Sequence, residues 1–136
     1  MDFFNFLFFD FKGRIGRKAF WLGSIAIILL ETALCIYLAQ LFEIPIFDLG
    51  KPELTEAQWT ALYDQVGTLG ALANVVFLWP WIAVISKRCH DRGKSGWWTV
   101  LAYVPIVGNI WSFVELGFVK GTSGSNRFGP DPIAKG

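Results

Sequence analysis

Three stretches of this chain stay apolar for about the length a helix needs to cross a bilayer, and most of its cations cluster at their ends. Roughly 30 Å of hydrocarbon demands about 20 helical residues, because each advances about 1.5 Å and no water is present to satisfy an open backbone. Residues 19–42, 66–86 and 97–118 approach that length. A soluble fold would have to cover all three with polar surface, and a 136-residue chain with 54% hydrophobic residues does not have enough of it. The expected fold class is all-α: an integral membrane helical protein with about three transmembrane segments, organised as a single domain over residues 1–136. The formal net charge of +1 gives no electrostatic reason to expect a nucleic-acid partner.

The segments differ in regularity. Pro80, between Trp79 and Trp81, is expected to kink the second without ending it. Pro105, Gly108 and Asn109 fall near the middle of the third, which is therefore expected to be a kinked span or a re-entrant hairpin; neither half is long enough to cross alone. Residues 1–18 interleave Phe3, Phe4, Phe6, Leu7, Phe8, Phe9 and Phe11 with Asp2, Asn5, Asp10 and Lys12, the pattern of an interfacial helix lying along the headgroups. No small-residue cleavage site closes the first apolar run, so it is expected to stay in the mature protein rather than leave as a signal peptide. Within residues 43–65, Pro45, Gly50 and Pro52 break the chain, and Thr55 or Leu54 precedes a short helix. Residues 119–136, rich in turn formers, are expected to be irregular.

Cations set the orientation. Lys12, Arg14, Arg17 and Lys18 precede the first span, and Lys87, Arg88, Arg92 and Lys94 join the second to the third. Both flanks therefore belong in the cytoplasm, and the N-terminus with them. The loop between the first two spans carries Glu43, Asp48, Glu53, Glu56 and Asp64 against Lys51, and falls outside. Three full crossings would export a tail bearing Lys120, Arg127 and Lys135, whereas a re-entrant third segment would return it. Hydropathy favours three crossings, the count expected here.

The densest polar stretch runs from Lys87 to Trp98. Its first half continues the second helix, with cations where the helix dipole favours them; Gly93 is expected to stop that helix and Ser95 to cap the next. Beyond setting topology, Arg88, Arg92, Lys94 and Ser95, with Arg14 and Arg17 from the other flank, form a candidate anion site, most simply for a phospholipid headgroup. His90 and Asp91 are a subordinate candidate for acid–base catalysis, since adjacent helical residues do not face each other and Asp91 is better placed to pair with Lys87 or Arg88. Cys89 and His90 offer two adjacent ligands with no second pair, so no metal is expected. Gly93-Lys94-Ser95 lacks the glycine that a phosphate-binding loop needs five positions earlier, where Arg88 stands. No cofactor is expected, and Cys35 and Cys89 lie in settings too different to suggest a disulfide.

A second constellation lies inside the apolar spans. Glu31, Asn74 and Asn109 each stand about twelve residues from the cytoplasmic end of their segment, near one depth of roughly 18 Å. Ser24, Glu31 and Cys35 share a helical face, and Gly67, Gly70, Ala71 and Asn74 make a small-residue face expected to pack closely against it. A carboxylate at mid-bilayer costs about 2.5–3.5 kcal/mol, so Glu31 is expected to be buried, paired or protonated, in a structural clamp more readily than an ion relay.

Three motifs occur in order: Phe11-Lys-Gly13-Arg14-Ile-Gly-Arg17-Lys-Ala-Phe20-Trp21; Arg88-Cys-His90-Asp91-Arg-Gly-Lys-Ser95-Gly-Trp97-Trp98, followed by Pro105 and Gly108; and Gly121-Thr-Ser-Gly124-Ser-Asn126-Arg-Phe128-Gly129-Pro-Asp131-Pro132. In them the chain resembles, over nearly its whole length, the small bacterial inner-membrane proteins catalogued as domain of unknown function 805. Cys89 departs from the large apolar residue expected before His90, which weakens any redox or metal role for it. The resemblance implies a bacterial inner-membrane location, a few helical spans and no established activity. It also suggests that Arg14, Arg17, Arg88, His90, Asp91, Ser95, Asn126 and Asp131 converge on one cytoplasmic surface, which requires a returning tail.

The expected function is that of a non-enzymatic accessory protein or lipid-interacting scaffold, with membrane lipids, a second copy or another membrane protein as partner. One alternative is a small oligomeric transporter or channel using Glu31, Asn74 and Asn109. Another is a membrane enzyme acting on a phosphate-bearing lipid through His90 and Asp91.

Overall fold

The computed structural model describes residues 2–48 and 53–133; Gly50, Lys51 and Pro52 of the acidic loop and Lys135 of the tail lie outside them. Five α-helices are described: α1 (Phe3–Phe8), α2 (Arg17–Leu41), α3 (Glu56–Asp91), α4 (Thr99–Ala102) and α5 (Val107–Trp111). Among the described residues there is no strand, only a single bridge between Asn126 and Gly129. α2 and α3 are the described helices long and apolar enough to cross a membrane. Leu22, Ile25, Leu29 and Leu30 of α2 and Leu72, Val75 and Val76 of α3 are exposed, and an uncovered apolar surface of this kind suits hydrocarbon rather than water.

Local chemistry sets the helix ends. α3 begins at Glu56, well before residue 66, because the short helix expected after Thr55 is continuous with the span. Thr55 Oγ1 accepts from the Gln58 amide at 3.4 Å and Gln58 Oε1 accepts from the Thr55 amide at 2.9 Å, a reciprocal cap that starts the helix there. α3 runs through Pro80 without ending. Gly93, at φ +71°, closes it, with the Lys94 amide donating to Cys89 O at 2.9 Å.

One expectation at the N-terminus needs correction. Residues 1–18 do not form one interfacial helix; only Phe3–Phe8 is helical before α2. Asp10 Oδ1 accepts from the Lys12 amide at 2.9 Å and Gly13 takes φ +89°, so turn chemistry overrides the aromatic periodicity. Residues 97–118, expected as a kinked span or a re-entrant hairpin, are broken into short helical pieces. A 3-10 turn at Gly96–Trp98, with Ser95 Oγ accepting from the Trp97 amide at 3.4 Å, leads into α4. The chain then reverses around Pro105, with Ile106 at φ +65°, and α5 passes into a π-helical stretch, Ser112–Phe118. The Thr122 amide donates to Asp91 O at 2.8 Å, so the segment comes back to the helix end it left.

The described residues divide into two compact units, Met1–Ala26 with Trp79–Gly136, and Ile27–Leu78. In the first, Leu7, Phe8, Ile15, Phe20, Val84 and Leu116 are buried. A Cβ placed on Gly23 would meet Val84 at 3.3 Å and Leu7 at 3.4 Å, so α2 approaches both α1 and α3 closely there. In the second, Ala39, Leu62, Leu69 and Ala73 are buried, and Cys35 Sγ lies 4.0 Å from Leu69 O. The seam on α3 is thus Leu62–Leu69–Ala73, not the expected small-residue face: nothing lies within 4 Å of a Cβ built on Gly67 or Gly70. Leucines at helical spacing bury more apolar area than glycines do, and they take the contact.

Candidate functional site

Asp91, the last residue of α3, is the centre of the first unit's polar end. Its Oδ1 accepts from Arg14 Nε at 3.1 Å and Nη2 at 3.0 Å, and its Oδ2 accepts from Arg88 Nη1. The two guanidinium side chains are 0% exposed and the carboxylate 2%. Burying a charge is expensive unless a partner and hydrogen bonds satisfy it, and the planar five-donor guanidinium can meet both demands at once. Arg14 donates Nη1 to Gly124 O at 2.7 Å and Gly129 O at 3.2 Å, and Nη2 to Thr122 O at 2.6 Å. Arg88 donates Nε to Leu116 O at 2.7 Å and Nη2 to Val119 O at 2.6 Å. Each arginine therefore joins α3 to a stretch of backbone with carbonyls to spare.

Lys87 does the same for the N-terminal segment. Its ammonium, fully buried, donates to Phe6 O at 2.7 Å, Leu7 O at 2.9 Å and Asp10 O. Phe6 and Leu7 are among the last residues of α1, whose terminal carbonyls have no partner within the helix and favour a cation. The sequence offered Lys87 or Arg88 as a partner for Asp91; the carboxylate receives Arg88, one turn away, and also Arg14, which the sequence did not pair with it.

The tail folds over this core. Thr122 Oγ1 donates to Asp91 O at 3.0 Å, and Asn126 Nδ2 donates to His90 O and to Thr122 Oγ1, both at 2.9 Å. Gly121 sits so close that a Cβ there would lie 2.0 Å from Asp91 Oδ2, so no other residue fits. Asp131 accepts from the amides of Ile133 and Gly124, each at 2.9 Å, and these bonds hold its carboxyl below the ordinary carboxylate range. The His90 ring stacks on Phe128 at 4.0 Å, and its Nδ1 lies 3.1 Å from Gly13 O. A carbonyl can only accept, which places a proton on Nδ1.

The remaining predicted anion-binding residues are committed to different degrees. Arg92 donates Nε and Nη2 to Glu115 Oε1 at 3.3 and 3.1 Å, and Lys94 Nζ reaches the same oxygen at 2.7 Å. The Lys94 ammonium also lies 4.8 Å from the Trp98 ring centre and 5.4 Å from that of Trp111. Ser95 uses its hydroxyl as a cap. Arg17 is exposed and makes one bond of 3.3 Å, to Phe118 O. Of the intramembrane residues, Asn74 is exposed and donates to Gly70 O of its own helix at 2.8 Å, and Glu31 lies with it in the second unit. Asn109, on α5, is exposed and belongs to the first.

The three sequence motifs thus meet at one carboxylate, and a family model described as "Protein of unknown function (DUF805)" matches residues 8–130, which contain nearly all of them. The chain belongs to the DUF805 family. It is 32% identical over 123 residues to "Inner membrane protein YhaH" of Escherichia coli K12, covering 90% of this chain and 86% of that protein. It is 29% identical over 147 residues to "Uncharacterized protein YiiR" of the same organism, with the same coverage, and 44% identical over 54 residues to "Inner membrane protein YhaI", covering 39% of this chain and 44% of the relative. No solved structure matches. The names of YhaH and YhaI agree with the exposed apolar surfaces of α2 and α3, and this DUF805 chain is a helical membrane protein.

Proposed function

We propose that this protein is a non-enzymatic accessory protein of the bacterial inner membrane that crosses the bilayer twice, through α2 and α3, with both termini in the cytoplasm. The observation that carries this reading is the three-way tie at Asp91: Arg14, from the segment before α2, and Arg88, near the end of α3, share its carboxylate, while Arg14 also holds tail carbonyls at Thr122, Gly124 and Gly129. Tail, N-terminal flank and the end of α3 then lie on one side. Lys120 and Arg127 join the cations of both other flanks there, which the positive-inside rule assigns to the cytoplasm. The third segment rests its apolar tip, Ile106 and Val107, in the interfacial layer on that side; Ile106 is 74% exposed.

The non-enzymatic part follows from how the acid–base candidates are used. Asp91 accepts three bonds from two guanidinium groups instead of orienting His90, and the His90 ring gives its Nδ1–H to Gly13 O and stacks on Phe128, so the two residues do not form a carboxylate-oriented acid–base pair. The result is a fixed cytoplasmic cap on a membrane anchor, a surface suited to presenting itself to a lipid or to another membrane protein. Topology is tested with single cysteines at Thr60 and Ser125, introduced after Cys35 and Cys89 are changed to serine, and an impermeant maleimide added to spheroplasts. Labelling at position 60 and none at 125 is expected; labelling at 125 would overturn the two-crossing reading. Turnover of a phosphate-bearing lipid that is lost in His90→Ala would overturn the non-enzymatic one.

A further inference from the structure

We infer that the first unit holds a site for one anionic phospholipid at the start of α2, which deepens the accessory role and rests on the placement of this end at the cytoplasmic boundary. A cavity of about 610 Å³ opens there, with Phe3, Phe6, Ile15 and Ile133 among its walls and Arg17 and Lys18 at its rim. Its size lies within the range of small-molecule sites, roughly 300–1,000 Å³. Among the described residues the charged groups that line it are Arg14, Arg17 and Lys18, all cations.

Among the described residues, the donors at this rim have fewer internal partners than those elsewhere on the cap. Arg14, Arg88, Arg92 and Lys94 are turned to carbonyls and carboxylates, whereas Lys18 is exposed and Arg17 makes one 3.3 Å bond. The first intrahelical bond of α2 runs from the Phe20 amide to Gly16 O at 3.0 Å, so the amides of Arg17, Lys18 and Ala19 add their partial charges to the same place. An anion such as a phosphate is what this rim complements.

The walls favour a lipid over a free anion. Phe3 and Ile133 are apolar and exposed beside the cations, an arrangement a small hydrated ion has no use for. Lys18, Leu22 and Ile25 recur at four and three residues and so share a face of α2, and Leu22 is 64% and Ile25 49% exposed. A phosphate held at Lys18 therefore sends its acyl chains along Leu22 and Ile25 into the hydrocarbon, as the membrane geometry of α2 requires.

Native mass spectrometry of the full chain in mild detergent, titrated with phosphatidylglycerol or phosphatidylcholine, tests the site without reference to orientation, so it can fail while the topology stands, and the reverse. One retained phosphatidylglycerol, preferred over phosphatidylcholine, is expected. Arg17→Gln and Lys18→Gln should each lower its retention about fivefold and together about thirtyfold, from about 1 kcal/mol per cation near an anionic headgroup. Lys12→Gln and Lys120→Gln, exposed cations outside the cavity, should change little. Equal retention of the two lipids, retention unaltered in the double variant, or displacement of the lipid by excess inorganic phosphate overturns the proposal. Should the double variant expose Cys89 to maleimide and so report a disrupted cap, Lys18→Gln alone decides, because its exposed side chain is not part of that cap.

Discussion

In an Asp91→Asn protein the side chain keeps its shape and loses the charge that two buried guanidinium groups share. Removing one partner of a buried ion pair costs about 3–5 kcal/mol, chiefly because the other charge is left uncompensated. Two considerations move the figure here in opposite directions. Arg14 and Arg88 keep their bonds to Leu116, Val119, Thr122, Gly124 and Gly129, which softens the loss; but two cations are stranded rather than one, and the new amide directs an N–H at one of them. The assay is the chain's own Cys89, which is 0% exposed and two residues from Asp91. In a Cys35→Ser background it is the sole thiol, and a maleimide reaches it only when the cap opens. With opening fast relative to labelling, 3–5 kcal/mol corresponds to a rate increase of about 10²–10³-fold or more. The control is Asp64→Asn, an exposed carboxylate at which no rise is expected. A rate for Asp91→Asn within about threefold of the parent would refute the claim that this carboxylate holds the cap together.

Four further outcomes follow from the same contacts. Arg88→Lys keeps the charge but replaces a fork that reaches Leu116 O, Val119 O and Asp91 with a single ammonium; leaving one buried carbonyl unpaired costs about 1–3 kcal/mol, and Cys89 labelling should rise about tenfold to a hundredfold. Gly121→Ala puts a methyl group 2.0 Å from Asp91 Oδ2 and should detach the tail, read as rapid limited proteolysis within residues 121–133 while α2 and α3 stay protected. His90→Ala loses the stack on Phe128 and the bond to Gly13, together about 2 kcal/mol, and tail cleavage should quicken by about thirtyfold. The Asp131 carboxyl titrates below its ordinary value when folded, so its contribution to tail docking is complete above the unfolded pKa and is lost as pH falls through the folded one. An acid-active protease should therefore find the tail more accessible below about pH 4, and Asp131→Asn should remove that component of the pH dependence.

What the sequence made legible was whatever depends on solvent preference and local turn chemistry. α2 and α3 could be read from apolar length, the stop at Gly93 and the cap at Ser95 from residue type, and the break in the third segment from Pro105 and Gly108. The miss at the N-terminus came from weighting seven aromatic and leucine positions over the Asp10 turn and Gly13. At the site, composition identified the cations without their direction. Arg88, Arg92 and Lys94 read as a surface for an external anion because charge is visible in sequence and carbonyl partners are not; the carbonyls that turn those donors inward belong to Leu116, Val119 and Lys120 and to the Glu115 carboxylate nearby. Lys87 reads from the sequence as a topological charge or a partner for Asp91, since nothing in its neighbourhood of the sequence announces the end of α1.

The three motifs are better understood as one object with a single physical task. Where the chain leaves α1 and the π-helical stretch, and again throughout the tail, the backbone stops satisfying itself, and Phe6, Leu7, Leu116, Val119, Thr122, Gly124 and Gly129 present carbonyls that must find donors close to a membrane, where water is scarce. An aliphatic core could not supply those donors. Two arginines and a lysine on or facing the last turns of α3 can, because each brings several N–H groups on one side chain; Asp91 then offsets charge that would otherwise oppose burial, and Gly121 lets the tail come near enough to be held. The polar character of this end thus answers a need of the backbone, and any chemistry directed outward has to come from residues this task leaves over, of which Lys18 and Arg17 beside an apolar cavity are the clearest.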